Sequence, residues 1–153
     1  FNMICSGAGA FESLRLEKGY RSLGSDIHTN YNPYESGLGF TVKLKKDEDF
    51  IGKSALQKIK EKPVQKKLTC MILEDPEGMA LGTEPIYSNG KAVGYVTSTN
   101  YGYFVDKHIV YGYLPSELSE NGTALELEYF GKRYPLKVTQ EPLLDPENNR
   151  LKS

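Results

Sequence analysis

The spacing of apolar residues changes character once along the chain, near residue 67. Before that point it follows the helical period. In "FESLRLEKGYRSL" the apolar residues Phe11, Leu14, Leu16, Tyr20 and Leu23 predict a helix over 11–23, with Glu12, Arg15 and Lys18 turned away from the apolar stripe. Glu17 stands four residues before Arg21, the favoured order for a helical ion pair, and Gly24 supplies a stop. Gly19 opposes this reading, since a glycine inside a helix costs about 1 kcal/mol. A second helix is predicted in "DFIGKSALQKIKEKP", where Ile51, Ala55, Leu56 and Ile59 repeat at three- and four-residue spacing and Pro63 ends the run. Between the two lies "NPYESGLGF", residues 32–40, whose proline, glycines and aromatics predict a shaped loop running into a strand.

From Lys67 the period is two. "KLTCMILE" alternates Leu68, Cys70 and Ile72, and "EPIYSNGKAVGYV" carries Asn89-Gly90, a strong hairpin signal, between two strand-like runs. "HIVYGYLP" reads as a further strand, while "ALELEYFGKRYPLKV" alternates Leu125, Leu127 and Tyr129 with glutamates and turns at Gly131. About six short strands at close spacing predict a closed or nearly closed antiparallel barrel, which leaves no sheet edge exposed. "GAGAF" is read as a tight entry to the first helix, and the tail "EPLLDPENNRLKS" as a surface run.

Composition narrows the function classes. A chain of 153 residues with 39% hydrophobic content is long enough for a buried core covering about 68–70% of its unfolded surface. A net charge of −1 provides no whole-molecule field for nucleic acid or an anionic membrane, and no apolar run reaches the roughly 18 residues of a membrane helix. Between Lys43 and Lys67 nine lysines face four acids, a local excess of five positive charges. That stretch is read either as a solvated helix face or as an attraction for an anionic ligand tail. The opening "FNMICSGAGAF" has no basic leader before its apolar run. Cys5 and Cys70 are too far apart for a zinc spacing or a disulfide framework, and Cys70 reads as a reduced core thiol, so a reducing compartment is expected.

Candidate chemistry is sparse. His28 and His108 have no carboxylate or cysteine at metal-ligand spacing. "GAGAF" lacks the third glycine and the preceding strand of a dinucleotide fingerprint. Of eleven tyrosines, seven fall between Tyr95 and Tyr134. They read either as an aromatic ligand surface or as barrel filling, rings inside and hydroxyls wet.

Specific strings go further than pattern. "SLRLEKGYRSLGSDI", then "NPYESGLGFTVKLKKDEDFIGKSAL", "GKAVGYVTSTNYGYFVDKHIVYGYLP" and "GKRYPLKVTQEPLLDPENNRL" come in an order that resembles the aminomethyltransferase family, the folate-dependent T-protein of glycine cleavage and its relatives. The last string, with its "QEPL" and "NRL", resembles the C-terminal ends of dimethylglycine and sarcosine dehydrogenases more than the T-protein itself. The resemblance implies an α+β chain: residues 1–62 as the end of a folate-binding domain, and 63–153 as a six-stranded antiparallel Greek-key barrel. It also implies a C-terminal piece, inert alone, with an upstream flavin (FAD) half and most of the folate domain, including the family's catalytic aspartate, lying outside it. The expected cofactor is tetrahydrofolate and the expected substrate a small N-methylated amine. The expected location is cytoplasm or mitochondrial matrix, with neither nucleic acid nor membrane as partner.

Two residues carry over as cofactor contacts. Arg15 in "LRLEK" matches an arginine near the folate site, where a guanidinium suits bidentate contact with a carboxylate or pterin edge. Its structural alternative is an ion pair with Glu12 on the helix. Phe40 in "GLGF" matches a folate-touching tyrosine of dimethylglycine dehydrogenases, keeping the ring without the hydroxyl. No catalytic residue is expected within the chain. The resemblance extends to the pyruvate dehydrogenase phosphatase regulatory subunit, so a non-catalytic binding module is the alternative, as is a glycine cleavage T-protein relative acting on a lipoyl carrier.

Overall fold

The computed structural model describes residues 3–153, so the first two residues of the N-terminal run lie outside the described residues. Helix α1 spans Ala8–Glu17, α2 Lys53–Lys60 and α3 Asn149–Lys152. Six strands follow the order β1 Lys66–Leu73, β2 Pro85–Ser88, β3 Lys91–Gly102, β4 Lys107–Pro115, β5 Ala124–Tyr129 and β6 Lys132–Val138. They close an antiparallel barrel in the order β1-β4-β3-β2-β5-β6. Strands β2, β3 and β4 form a meander and β5 returns beside β2, which is the Greek-key arrangement. Asn89 and Gly90 join β2 to β3 with φ of 49° and 76°, the left-handed pair that a two-residue hairpin requires.

Strand composition records which faces are covered. β5 and β6 alternate cleanly, with Leu125, Leu127, Tyr134, Leu136 and Val138 inside and charged neighbours in water. β1 and β4 are apolar almost continuously because both of their faces are buried. Met71, Leu73, Val110 and Leu114 fill the barrel together with Ile86 and Val96. On the outer face of the same two strands Leu68, Cys70, Ile109, Tyr111 and Tyr113 form a second core with Leu16 of α1. Each fully buried side chain of this size contributes about 1.5–3 kcal/mol.

This second core corrects one sequence reading, that of the tyrosines as barrel filling; Cys70 is buried as expected, in the core outside the barrel. Tyr111 and Tyr113 line the outer wall, and their neighbour Tyr31 stacks on Tyr113 with ring centroids 3.4 Å apart. Two hydroxyl contacts there are internal, Tyr113 Oη donating to Asp26 O at 2.8 Å and the Tyr31 and Tyr95 hydroxyls meeting at 2.9 Å, while Tyr111 Oη is buried without a partner. Burial pushes the Cys70 thiol up to about 12. Native protein treated with iodoacetamide at neutral pH should therefore label at exposed Cys5 and leave Cys70 unmodified until denaturant is added. Labelling of both thiols in the native state would place Cys70 outside the second core.

Helix α1 departs most from its prediction. It ends at Glu17, not Leu23, because Gly19 takes φ of 72° and closes the helix: Gly19 N–H donates to Leu16 O and Tyr20 N–H to Arg15 O. The residue that counted against a longer helix is its stop. The expected Glu17–Arg21 pair does not form, and of the predicted apolar stripe on the helix only Leu16 is buried. Ser13, Arg15, Leu16 and Glu17 face the barrel, while Phe11 and Leu14 are exposed.

Three other stretches add detail. Helix α2 begins only after Gly52, so Ile51 precedes it, and none of its residues is buried. The tail folds back on α1, with Leu144 N–H donating to Glu17 O and Lys18 Nζ reaching Asp145 O at 2.5 Å. "NPYESGLGF" ends in a 3-10 turn at Gly39–Thr41 where a strand was expected. Asn32 Oδ1 accepts from the N–H groups of Tyr34 and Glu35, Leu38 N–H donates to Pro33 O, and Leu68 N–H donates to Glu35 O. These bonds fix a compact turn against the start of β1.

Candidate functional site: the groove beside the first helix

The polar residues that α1 turns inward build one buried network. Arg15, only 6% exposed, donates from Nε to Glu12 Oε2 at 2.7 Å, from Nη1 to Tyr20 O at 3.0 Å and Asp26 Oδ2 at 2.9 Å, and from Nη2 to Ser98 Oγ at 2.8 Å. Its Nη2 also lies 2.6 Å from Glu12 Oε2, so four hydrogen bonds and two ion pairs hold the guanidinium. Asp26 receives Arg15 and Ser22 N–H on Oδ2, and the hydroxyls of Thr97 at 2.5 Å and Ser98 at 2.7 Å on Oδ1.

Thr97 and Ser98 are consecutive yet reach one carboxylate oxygen. A regular strand sends neighbouring side chains to opposite faces; here the β3–β4 register shifts between Val96 and Ser98, and the bulge brings both hydroxyls to the same side. Sequence reasoning missed Asp26, Thr97 and Ser98. The turn signal "LGSD" was present in the string, but the bulge that gathers its partners left no mark in the apolar spacing.

Outside this network lies a groove of about 750 Å³ lined by Phe11, Leu14, Tyr20, Leu23 and Leu151, with Arg15, Lys18, Arg21 and Arg150 among its cations and Asp145 as its one carboxylate. A second hollow of about 600 Å³ shares Lys18, Tyr20 and Arg21 and is bounded by Phe40, Glu141 and Pro142. The ring of Phe40 is 73% exposed at its edge. Arg21 ties the pieces together, donating to Gly19 O, to Ser36 O at 3.3 Å and to Glu141. The structure thus places Arg15 and Phe40 on neighbouring hollows joined through Lys18, Tyr20 and Arg21. An apolar floor ringed by cations accommodates a flat aromatic ligand with an anionic tail.

Among the described residues no group of three or more His, Cys, Asp or Glu stands where it could hold a metal ion. No helix among them is long and apolar enough to cross a membrane.

Comparison with known proteins agrees with this architecture. Residues 66–145 match the glycine cleavage T-protein C-terminal barrel domain, and residues 1–46 match the GCVT N-terminal domain. Mitochondrial dimethylglycine dehydrogenase of Homo sapiens is 44% identical over 147 residues, covering 95% of this chain and 17% of the relative. Mitochondrial sarcosine dehydrogenase of Mus musculus is 36% identical over 158 residues, covering 98% and 17%. Aminomethyltransferase of Prochlorococcus marinus is 38% identical over 136 residues, covering 89% and 36%. The glycine cleavage system aminomethyltransferase T of Bartonella henselae superposes with a TM-score of 0.79 at 26% identity, covering 90% of this chain and 38% of that one. The chain therefore spans about a sixth of the length of its dehydrogenase relatives, 17% of each. With more than half its length matched by the barrel's own model, and that barrel closed in the structure, the chain belongs to the glycine cleavage T-protein family.

Proposed function

We propose that this chain is the C-terminal tetrahydrofolate-dependent one-carbon transfer module of a dimethylglycine or sarcosine dehydrogenase-like flavoenzyme. Residues 1–62 end the folate-binding domain and 63–153 form the barrel behind it. The observation that carries this reading is the pair of adjoining cation-rimmed hollows, one lined by Arg15 and the other by Phe40, the two residues matched to family folate contacts. Tetrahydrofolate, when bound, supplies the acceptor for the one-carbon unit released from an N-methylated amine.

The chain's own residues bind and orient. Phe40 offers a ring edge to the ligand. Arg15 meets a pterin edge or carboxylate by exchanging Glu12, its one partner at the protein surface, while Asp26 and Ser98 hold the guanidinium in place. Lys18 and Arg21 attract an anionic tail. FAD and the oxidation of the amine belong to the upstream half of the whole protein, placed in the mitochondrial matrix or the cytoplasm.

Titration of tetrahydrofolate is expected to give weak or no binding to this chain alone and clear binding to the full-length protein. Submicromolar binding by the chain alone would put the site or its boundary elsewhere. In the full-length protein, Phe40→Ala is expected to lose about 0.5–1.5 kcal/mol of folate affinity, roughly two- to tenfold.

The non-catalytic alternative draws on one observation, that Arg15 already makes four hydrogen bonds within the chain. Dimethylglycine oxidation by the full-length protein, with capture of the one-carbon unit on folate, would eliminate it.

A further inference from the structure

Asn-Gly occurs twice in the chain, as Asn89-Gly90 and as Asn121-Gly122, and all four residues are exposed. The dipeptide carries its own chemistry. Glycine has no side chain to shield its main-chain nitrogen from the amide carbon of the preceding asparagine. When that nitrogen loses its proton and attacks Asn Cγ, a C–N bond forms, the bond to the side-chain nitrogen breaks, and ammonia leaves a cyclic succinimide. Water then opens the ring at either carbonyl, giving aspartate or isoaspartate. The net change takes up one water and releases one ammonia, with no oxidation or reduction.

The sequence treats the two sites alike, and the fold does not. Space does not separate them, since a methyl group on either glycine meets nothing within 4 Å. Hydrogen bonding does. Gly122 N–H donates to Val138 O at 2.9 Å, Val138 N–H returns to Thr123 O at 3.0 Å, and Thr123 N–H closes on Glu120 O at 3.1 Å. The attacking nitrogen of that site is therefore held at the end of β6. Gly90 N–H, by contrast, makes no backbone hydrogen bond among the described residues, although Ser88 and Lys91 pair directly beside it. Asn89 stands at φ of 49°, a left-handed conformation that is no deep minimum for a residue with a side chain. Leaving it for the attack geometry breaks no bond of the nucleophile.

We propose that Asn89 is a site of self-modification, cyclising onto Gly90 N and reopening to aspartate and isoaspartate, while the bond from Gly122 to Val138 protects Asn121. Isoaspartate carries the main chain through the side-chain carbon and so adds a methylene to a two-residue turn that needs its left-handed pair. Ageing at Asn89 thus loosens the junction of β2 and β3. The hollows beside α1 take no lining residue from that hairpin, so the proposal stands independently of the folate reading.

The test is incubation of the folded protein in warm, mildly alkaline buffer, with a parallel sample in urea, followed by digestion and mass spectrometry of the peptides holding Asn89 and Asn121. The readout is the rate of the amide-to-acid mass gain at each. One net hydrogen bond holds the open form back by about three- to tenfold, so native Asn89 is expected to react faster than native Asn121 by that factor. In urea, where neither site has its fold, the two rates are expected to converge to within about twofold. Gly90→Ala places a methyl beside the attacking nitrogen and is expected to slow Asn89 while leaving Asn121 unchanged. Equal native rates, a faster Asn121, or a rate at Asn89 indifferent to Gly90→Ala would overturn the proposal. So would reaction of Asn89 in urea alone, which would make the hairpin itself the protecting element.

Discussion

Replacement of Asp26 by alanine is expected to destabilise the protein by about 3–5 kcal/mol, seen as a lower urea midpoint with little change in slope. Asp26 is 1% exposed and gathers four hydrogen bonds from α1, its own turn and the β3 bulge. Its removal leaves the Arg15 guanidinium buried with Tyr20 O, Ser98 and the surface Glu12 as its remaining partners. The cost is that of a stranded charge rather than of one lost contact. Arg15→Met is expected to be costly for the reciprocal reason, and the double variant to cost much less than the two singles together, since neither charge then lacks its mate. Additive losses would mean that the two residues stabilise the fold separately.

A comparable effect is expected from Gly94→Ala. A methyl group placed on Gly94 would lie 2.1 Å from Tyr113 O, and one on Gly112, across the same pair of strands, 2.5 Å from Tyr95 O. Both obstacles are backbone atoms in a hydrogen-bonded ladder, so a rotamer change gives no relief. The expected cost is about 3 kcal/mol or more, at or beyond the upper end of ordinary overpacking. Gly90→Ala tests a different requirement. Nothing lies within 4 Å of a methyl group there, and only its φ of 76° resists. That variant should lose about 1 kcal/mol. A Gly94→Ala protein as stable as its parent would show that β3 and β4 can part without opening the barrel.

The sequence carried the barrel well and the first helix poorly, for one physical reason. Strand assignment rests on period-two alternation and turn residues, and Leu125, Leu127 and Asn89-Gly90 obey both. The α1 reading assumed that apolar residues point at the core. Here Arg15 and Glu17 point inward because the barrel wall offers them Asp26, Ser98 and the amides of Phe104 and Val105. Ser98 and the two amides lie 83–88 positions from their α1 partners, and Asp26, 11 positions from Arg15, comes back to it only through the turn that follows the helix. Similarly, the reading of "NPYESGLGF" captured the loop and missed its 3-10 end, which depends on Gly39 tucking against the Tyr34 ring: a methyl there would come within 2.9 Å of it. Of the residues lining the candidate site, the strings supplied Arg15 and Phe40. Lys18, Tyr20 and Arg21, which join their hollows, emerged only when the Gly19 turn and the returning tail were in place.

The double-sided wall made by β1 and β4 bears on how such a module can be inherited. A break in the chain anywhere between Tyr31 and Lys66 would separate the barrel from Leu16 and Tyr31, baring Cys70, Ile109, Tyr111 and Tyr113 as a sticky aromatic strip. Recombination that moves the barrel between larger proteins therefore succeeds only when the first helix and its turn travel with it, so the unit of exchange begins well upstream of the first strand.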